Sequence, residues 1–188
     1  MCTVTRLLPA VLHAPQLPLP ELCAARLDGE VYAIDECYAP IDEVPDARLR
    51  AAAVRALAGD RAVAERDSAL WIYGIRAEPP HRHTLCVPRD HRVTLERTPR
   101  TIVRETRLQA GDTQWIGGLA VTTPVRTGFD LLRSTEFGAA DHDALVALIA
   151  RFGVDVRACR DRILTVRNLP GRHTALARLD ALGRPDLS

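Results

Sequence analysis

The spacing of apolar positions changes several times along the chain, and each change marks an element. A short apolar run over residues 4–12 gives way to a connector holding Pro15, Pro18 and Pro20. A short helix carrying Leu22 and Ala25 then starts near Pro20 and stops at Gly29. In the stretch EVYAIDECYAPI, Val31, Ala33 and Asp35 alternate with Tyr32, Ile34 and Glu36. This predicts a hairpin of two short strands turning at Asp35-Glu36. From Pro45 the spacing becomes helical: Leu49, Ala53 and Leu57 form a stripe that ends at Gly59. A second helix is predicted from Ala62 to Tyr73, with Gly74 as its left-handed cap and Trp71 as a core anchor in its last turn.

After Pro79 and Pro80 the spacing shortens again. His83, Leu85 and Val87 alternate with Thr84 and Cys86, a further strand is expected over residues 102–108, and residues 113–116 pair with 119–123 across Gly117-Gly118. These four strands are expected to form a small antiparallel sheet. Its last strand runs into VTTPVRTGFDLLR, where Thr123 can cap a helix and Pro124 suits the first helical position, because its missing N–H has no partner there. On that helix Val125, Phe129 and Leu132 fall on one face, expected to be buried, and Arg126, Asp130 and Arg133 on another. The second face reads either as an i,i+4 ion pair, worth well under ~1 kcal/mol if exposed, or as a contact for a partner or ligand. Three more helices follow. One is capped by Asp141 and carries Leu145, Leu148, Ile149 and Phe152 before Gly153, the next carries Val156, Cys159, Ile163 and Val166, and the last follows Pro170-Gly171 with Leu176, Leu179 and Leu182.

The resulting fold class is α+β. A helix leading into a small hairpin resembles the end of a winged helix-turn-helix, so residues 1–45 read as a truncated winged-helix-like segment. Residues 46–188 read as a mixed domain, with the small antiparallel sheet packed by helices and a helical C-terminus. Charge limits how the first part could act: between Glu21 and Asp46 eight acids stand against Arg26 alone, and such a surface repels phosphate. From Arg151 onward eight arginines stand against four aspartates. Arg157, Arg160, Arg167 and Arg172 there, with Arg82, Arg89 and Arg92 in the middle of the chain, are the candidate nucleic-acid contacts.

Several enzyme classes fall on composition. All 25 basic residues are arginine, which rules out a phosphate-loop lysine, a Schiff base and a kinase-type lysine. The five cysteines are dispersed, without a CxxC pair, and read as reduced, mostly buried thiols of a cytoplasmic protein. His81, His83, Cys86 and His91 cluster, but their spacing is wrong for a structural zinc site and His83 and Cys86 would point to opposite faces of a strand. They read as part of a basic rim with Arg82, Arg89 and Arg92. There is no GxSxG, no glycine-rich phosphate loop and no HExxH. Neither catalysis, a cofactor, a metal nor a membrane partner is expected.

The runs RDSALWIYGI (66–75), PPHRHTLCVP (79–88), GGLAVTTPVRTGFDLLR (117–133) and ELCAARLDGEVYAIDECYAPID (21–42) resemble the AbiEi-type antitoxins of type IV toxin–antitoxin systems and their orphan relatives. Trp71, Gly74, Thr123, Pro124, Arg126, Thr127 and Asp130 stand in the places of that family's signature. The resemblance implies a non-enzymatic transcriptional regulator. Its N-terminal winged helix would bind its own promoter DNA, and its larger C-terminal domain would counteract a nucleotidyltransferase-like toxin from a neighbouring gene. The alternative is a protein-interaction module derived from such antitoxins that no longer binds DNA.

Overall fold

The computed structural model of the protein describes residues 9–14, 16–89 and 98–182. Helix α1 (Leu19–Leu27) begins after Pro18, and Gly29, with φ 76°, follows its end. The hairpin of β1 (Val31–Ile34) and β2 (Cys37–Pro40) turns at Asp35-Glu36, as the alternation predicts, and Leu12 extends it by exchanging two backbone hydrogen bonds with Tyr38. Helix α2 (Ala47–Ala58) is capped by the Asp46 carboxylate, which accepts from the Leu49 N–H, and it stops at Gly59.

The second predicted helix is shorter than its sequence suggests. Val63–Ala64 form a strand, β3, and the helix α3 covers only Arg66–Ile72. The cause is tertiary: Val63 and Ala64 pair on both sides, and the Glu65 N–H still donates to the Thr84 carbonyl, so the chain stays extended through Glu65. Arg66 then takes a left-handed conformation, φ 48°, which breaks the direction before α3 begins.

This central strand changes the sheet. Together with β4 (His83–Pro88), β5 (Thr101–Thr106), β6 (Thr113–Ile116) and β7 (Leu119–Thr122), it makes five strands in the order β5-β4-β3-β7-β6. The sheet is mixed where an antiparallel one of four strands was expected: β3–β4 and β6–β7 are antiparallel, whereas β4–β5 and β3–β7 are parallel. With neighbours on both faces, β4 buries Leu85, Cys86 and Val87 in succession instead of alternating.

Helix α4 (Pro124–Leu132) leaves β7 as predicted, with the Thr123 hydroxyl accepting from the Arg126 N–H and Pro124 in the first turn. Every residue from Arg126 to Leu132 is buried, because α4 is packed between α3 and the three C-terminal helices α5 (Ala139–Phe152), α6 (Val156–Thr165) and α7 (Arg172–Leu182). Gly128 permits the approach of α5: a Cβ there would lie 3.3 Å from the Leu145 Cδ1. Val125, expected inside, lies one residue before this packed run and is exposed. Asp141 sits in the third position of α5 and accepts from the Gly138 N–H, so Gly138 holds the cap position assigned to Asp141.

One apolar cluster joins the hairpin, α2, α3 and the sheet, including Val11, Ile34, Cys37, Ala39, Val54, Leu85, Leu119 and Val121. A second joins Leu70 with Phe129, Leu132, Leu145, Leu148, Ile163 and Leu179 across α4 to α7. Cys37 and Cys159 lie within these clusters, where burial pushes their thiols up to about 12 and about 11, so they are poor nucleophiles at neutral pH. No helix among the described residues is long and apolar enough to cross a membrane.

Candidate functional site

The charged face of α4 turns inward. Arg126 and Asp130 are each only 4% exposed, and the Arg126 Nε donates to the Asp130 Oδ2 at 2.7 Å. The same guanidinium donates to Asp112 and to the Arg107 carbonyl in the connection between β5 and β6. Asp112 is the hub of this cluster. It also accepts from Arg162 on α6 through two nitrogens, at 2.6 and 2.8 Å, and from the Gln109 N–H at 2.9 Å. Burial works against the charged carboxylate, but the Arg162 hydrogen bonds, the Gln109 N–H and the charges of both arginines outweigh it and hold Asp112 below the usual carboxylate range. What reads in the sequence as one helical pair is a three-element junction joining a loop, α4 and α6.

A second buried carboxylate, Glu65, accepts from the Nε and Nη2 of Arg104 at 2.8 and 2.7 Å. Between these two clusters lies a cleft of about 500 Å³ whose walls carry Arg66, Arg89, Arg104, Arg107, Arg126, Arg133 and Arg162, with Glu105 and Asp130 as the lining carboxylates. Arg126, Arg133 and Arg162 surround Phe129, their guanidinium carbons 5.7, 5.0 and 4.8 Å from the ring centroid. Arg133 is held below the usual arginine value, first by burial and then by crowding from Arg126, Arg66 and Arg104, against the opposing pull of Asp130. The cleft thus concentrates positive charge where solvent is partly excluded.

A third cluster ties the N-terminal hairpin to the sheet. Asp35, at the hairpin turn with φ 52°, sends its carboxylate to the His83 Nε2 at 2.9 Å and to Arg100. The His83 Nδ1 lies 3.0 Å from the Ser68 hydroxyl, whose oxygen accepts the Thr84 N–H at 2.8 Å. All of these groups are satisfied when Ser68 donates to Nδ1 and Nε2–H donates to Asp35. The residue types are those of a Ser–His–Asp triad, but the ring nitrogens are exchanged and Ser68 and His83 are fully enclosed, so the set works as a polar tie. This corrects the reading of His83 as part of a basic rim: its ring is inside, tilted against Trp71 at 5.8 Å.

Burial alone would raise the Asp35 carboxyl, but the hydrogen bond from His83 and the charge of Arg100 bring it below its ordinary value. A carboxylate lowered by folding stabilises the fold above its unfolded pKa, and the gain disappears as pH falls through the folded value. Asp35→Asn is therefore expected to cost about 1–3 kcal/mol near neutrality, by leaving Arg100 and His83 poorly matched. Its stability should also fall less steeply than that of the wild type below about pH 4. Circular-dichroism melts across that range read both effects, and parallel curves for the two proteins would show that Asp35 is solvated.

The other signature positions hold structure together. Trp71 is buried, its carbonyl accepts from Arg50 and its ring lies under that guanidinium. Gly74, at φ 70°, follows α3, and its carbonyl accepts from Arg151 of α5. Thr127 pairs its hydroxyl with that of Thr122 at 2.8 Å. The candidate nucleic-acid arginines differ in their partners. Arg89 lines the cleft, Arg82 donates to the Thr101 carbonyl, Arg160 pairs with Asp180, and Arg172 is committed to the Val166 carbonyl. Arg157 and Arg167 are exposed, and Arg92 and His91 lie outside the described residues. Among the described residues no group of three or more His, Cys, Asp or Glu is placed to hold a metal ion.

Sequence reasoning missed Asp112, Glu65, Arg104 and Arg162. Asp112 follows Gly111 and looks like an ordinary turn residue, and its partners lie 14 and 50 positions away, so no local pattern marks it.

The profile of the AbiEi antitoxin C-terminal domain matches residues 62–182. No curated protein matches the chain. A crystal structure of the RV2827C protein from Mycobacterium tuberculosis aligns over 93% of this chain and 75% of that one, with 17% identity and a TM-score of 0.38. The profile match takes in every strand of the five-stranded sheet, the Arg126 cluster and the C-terminal helices. On that match, the chain belongs to the AbiEi antitoxin C-terminal domain family.

Proposed function

We propose that the chain is an antitoxin-like transcriptional regulator of a type IV toxin–antitoxin system, acting in the cytoplasm. In this reading it neutralises a nucleotidyltransferase-like toxin from a neighbouring gene and represses its own promoter, without catalysing a reaction. The observation that carries the proposal is the family match from β3 through α7. Residues 1–45 are assigned to the shortened winged-helix-like segment and 46–188 to the C-terminal α+β domain. DNA contact is assigned to arginines of the second part, such as Arg89, Arg157 and Arg167, because the acidic stretch from Glu21 to Asp46 repels phosphate. Fluorescence anisotropy with the upstream DNA and a scrambled duplex, at low and physiological salt, tests the repressor half. Specific binding that persists at the higher salt is expected, and weak binding equal for both duplexes would remove it. Co-expression with the neighbouring toxin tests the other half, the expected result being restored growth.

One observation favours the alternative of a protein-interaction module without DNA binding. Leu27, Ile41 and Val44 are exposed within the acidic segment, and an apolar surface with acidic surroundings suits a basic protein partner. Restored growth with no specific DNA binding would select this second reading.

A further inference from the structure

The arginine cleft between β5, α4 and α6 has a charge pattern that its internal ion pairs do not complete. Asp112 and Asp130 answer Arg126 and Arg162, and Glu65 answers Arg104. Arg66 and Arg107 also line the cleft, and among the described residues neither guanidinium has a hydrogen bond or ion pair. The Arg66 Nε is shielded from solvent and without a partner, as is the Arg162 Nε. Arg66 is, moreover, held at φ 48°, a conformation a non-glycine residue adopts at a cost. Arg66 is thus a strained arginine in a basic cleft that pairs with neither of the lining carboxylates, Glu105 and Asp130.

We infer that this cleft binds a compact polyphosphate, a di- or triphosphate group, gripped by Arg66, Arg107 and Arg133. Its concave volume of about 500 Å³ suits a small ligand, and a duplex backbone, being convex, would meet mainly the rim. Charge density separates phosphate from carboxylate. A single carboxylate brings one charge, whereas linked phosphates bring several into the same space and accept the planar fork of a guanidinium through two oxygens. Recognition stops at the phosphates. Phe129 is the aromatic residue of the lining, and its ring is buried and surrounded by Arg126, Arg133 and Arg162, so no face is free to stack a base. Glu105, also in the lining, restrains affinity for any anion.

Isothermal titration at physiological salt tests this, with inorganic pyrophosphate as the first probe, then ATP, GTP, AMP, sulfate and a short duplex. Pyrophosphate, ATP and GTP are expected to bind alike, with AMP and sulfate about tenfold weaker or more. Arg66→Asn and Arg107→Ala should each weaken pyrophosphate by about tenfold. Neither side chain has a protein partner among the described residues, and unchanged melting will show that the fold is intact. Arg61→Ala, at an exposed residue outside the cleft, should leave binding unchanged. Three results overturn the inference: no pyrophosphate binding up to millimolar concentration, binding undiminished in Arg66→Asn and Arg107→Ala, or a duplex that binds through these arginines while pyrophosphate does not. The last would make the cleft a nucleic-acid contact.

Discussion

Asp112→Ala is expected to lower the free energy of unfolding by about 3–5 kcal/mol, the range found when one partner of a buried ion pair is removed. Asp112 is 2% exposed and accepts hydrogen bonds from two arginines and a backbone N–H. Without it Arg126 retains Asp130, but Arg162 loses its carboxylate and the loop loses its tie to α6. Asp112→Asn keeps an acceptor for the Gln109 N–H without the charge, and should lie between wild type and alanine. The variants should converge with wild type in acid. The folded carboxyl is held below its ordinary value, so the wild type's advantage is present above about pH 4 and fades as pH falls through the lowered value. Urea denaturation supplies the measurement, with Arg160→Ala as the contrast. Its pair with Asp180 is solvent-exposed, and its loss should stay within about 0.5 kcal/mol. A cost below about 1 kcal/mol for Asp112→Ala would mean that water already screens the junction.

Gly117→Ala should cost about 2–4 kcal/mol, whereas Gly118→Ala, one residue on, should cost nearer 1 kcal/mol. Both glycines have positive φ, 56° and 80°, so both substitutions meet the left-handed penalty. They differ in what the new methyl meets. At Gly117 a Cβ would sit 2.3 Å from the Arg48 carbonyl oxygen, a backbone atom of α2 that cannot move without moving the helix. At Gly118 the nearest atom is the Arg55 Nε at 3.5 Å, on a side chain that can swing away. For a chain of this length the Gly117 variant should melt roughly 5–15 °C lower. Equal losses at the two positions would show that conformational strain alone governs the turn, with no contact between it and α2.

Elements with a local cause were legible in the sequence. The β6–β7 hairpin follows from Gly117-Gly118, α4 from Thr123-Pro124, and the β1–β2 turn from the alternation around Asp35-Glu36. Elements made by distant partners were not. Ala62, Val63 and Ala64 fit a helix as well as a strand, and only β4 and β7 on either side decide for the strand. With β3 hidden, the parallel pairings of the sheet were hidden too. The same division runs through the candidate site. Arg126 and Asp130 were legible as a pair four residues apart, but whether that pair was exposed or buried depends on α6 and on the loop carrying Asp112. His83 lay within a basic stretch and read as surface, because nothing local announces an acceptor 48 residues earlier in Asp35.

The apolar cluster shared by the hairpin, α2 and the sheet also bears on how this domain can be handled. The span matched by the family profile starts at residue 62, while Val11, Ile34, Ala39, Leu49 and Val54 help cover Leu85, Leu119 and Val121. A fragment excised at the profile boundary would carry the sheet with part of its cover removed, and His83 with no acidic partner. Sequence relatedness and autonomous folding therefore have different limits in this chain. Transplanting the domain as a module requires the preceding helix and hairpin to travel with it.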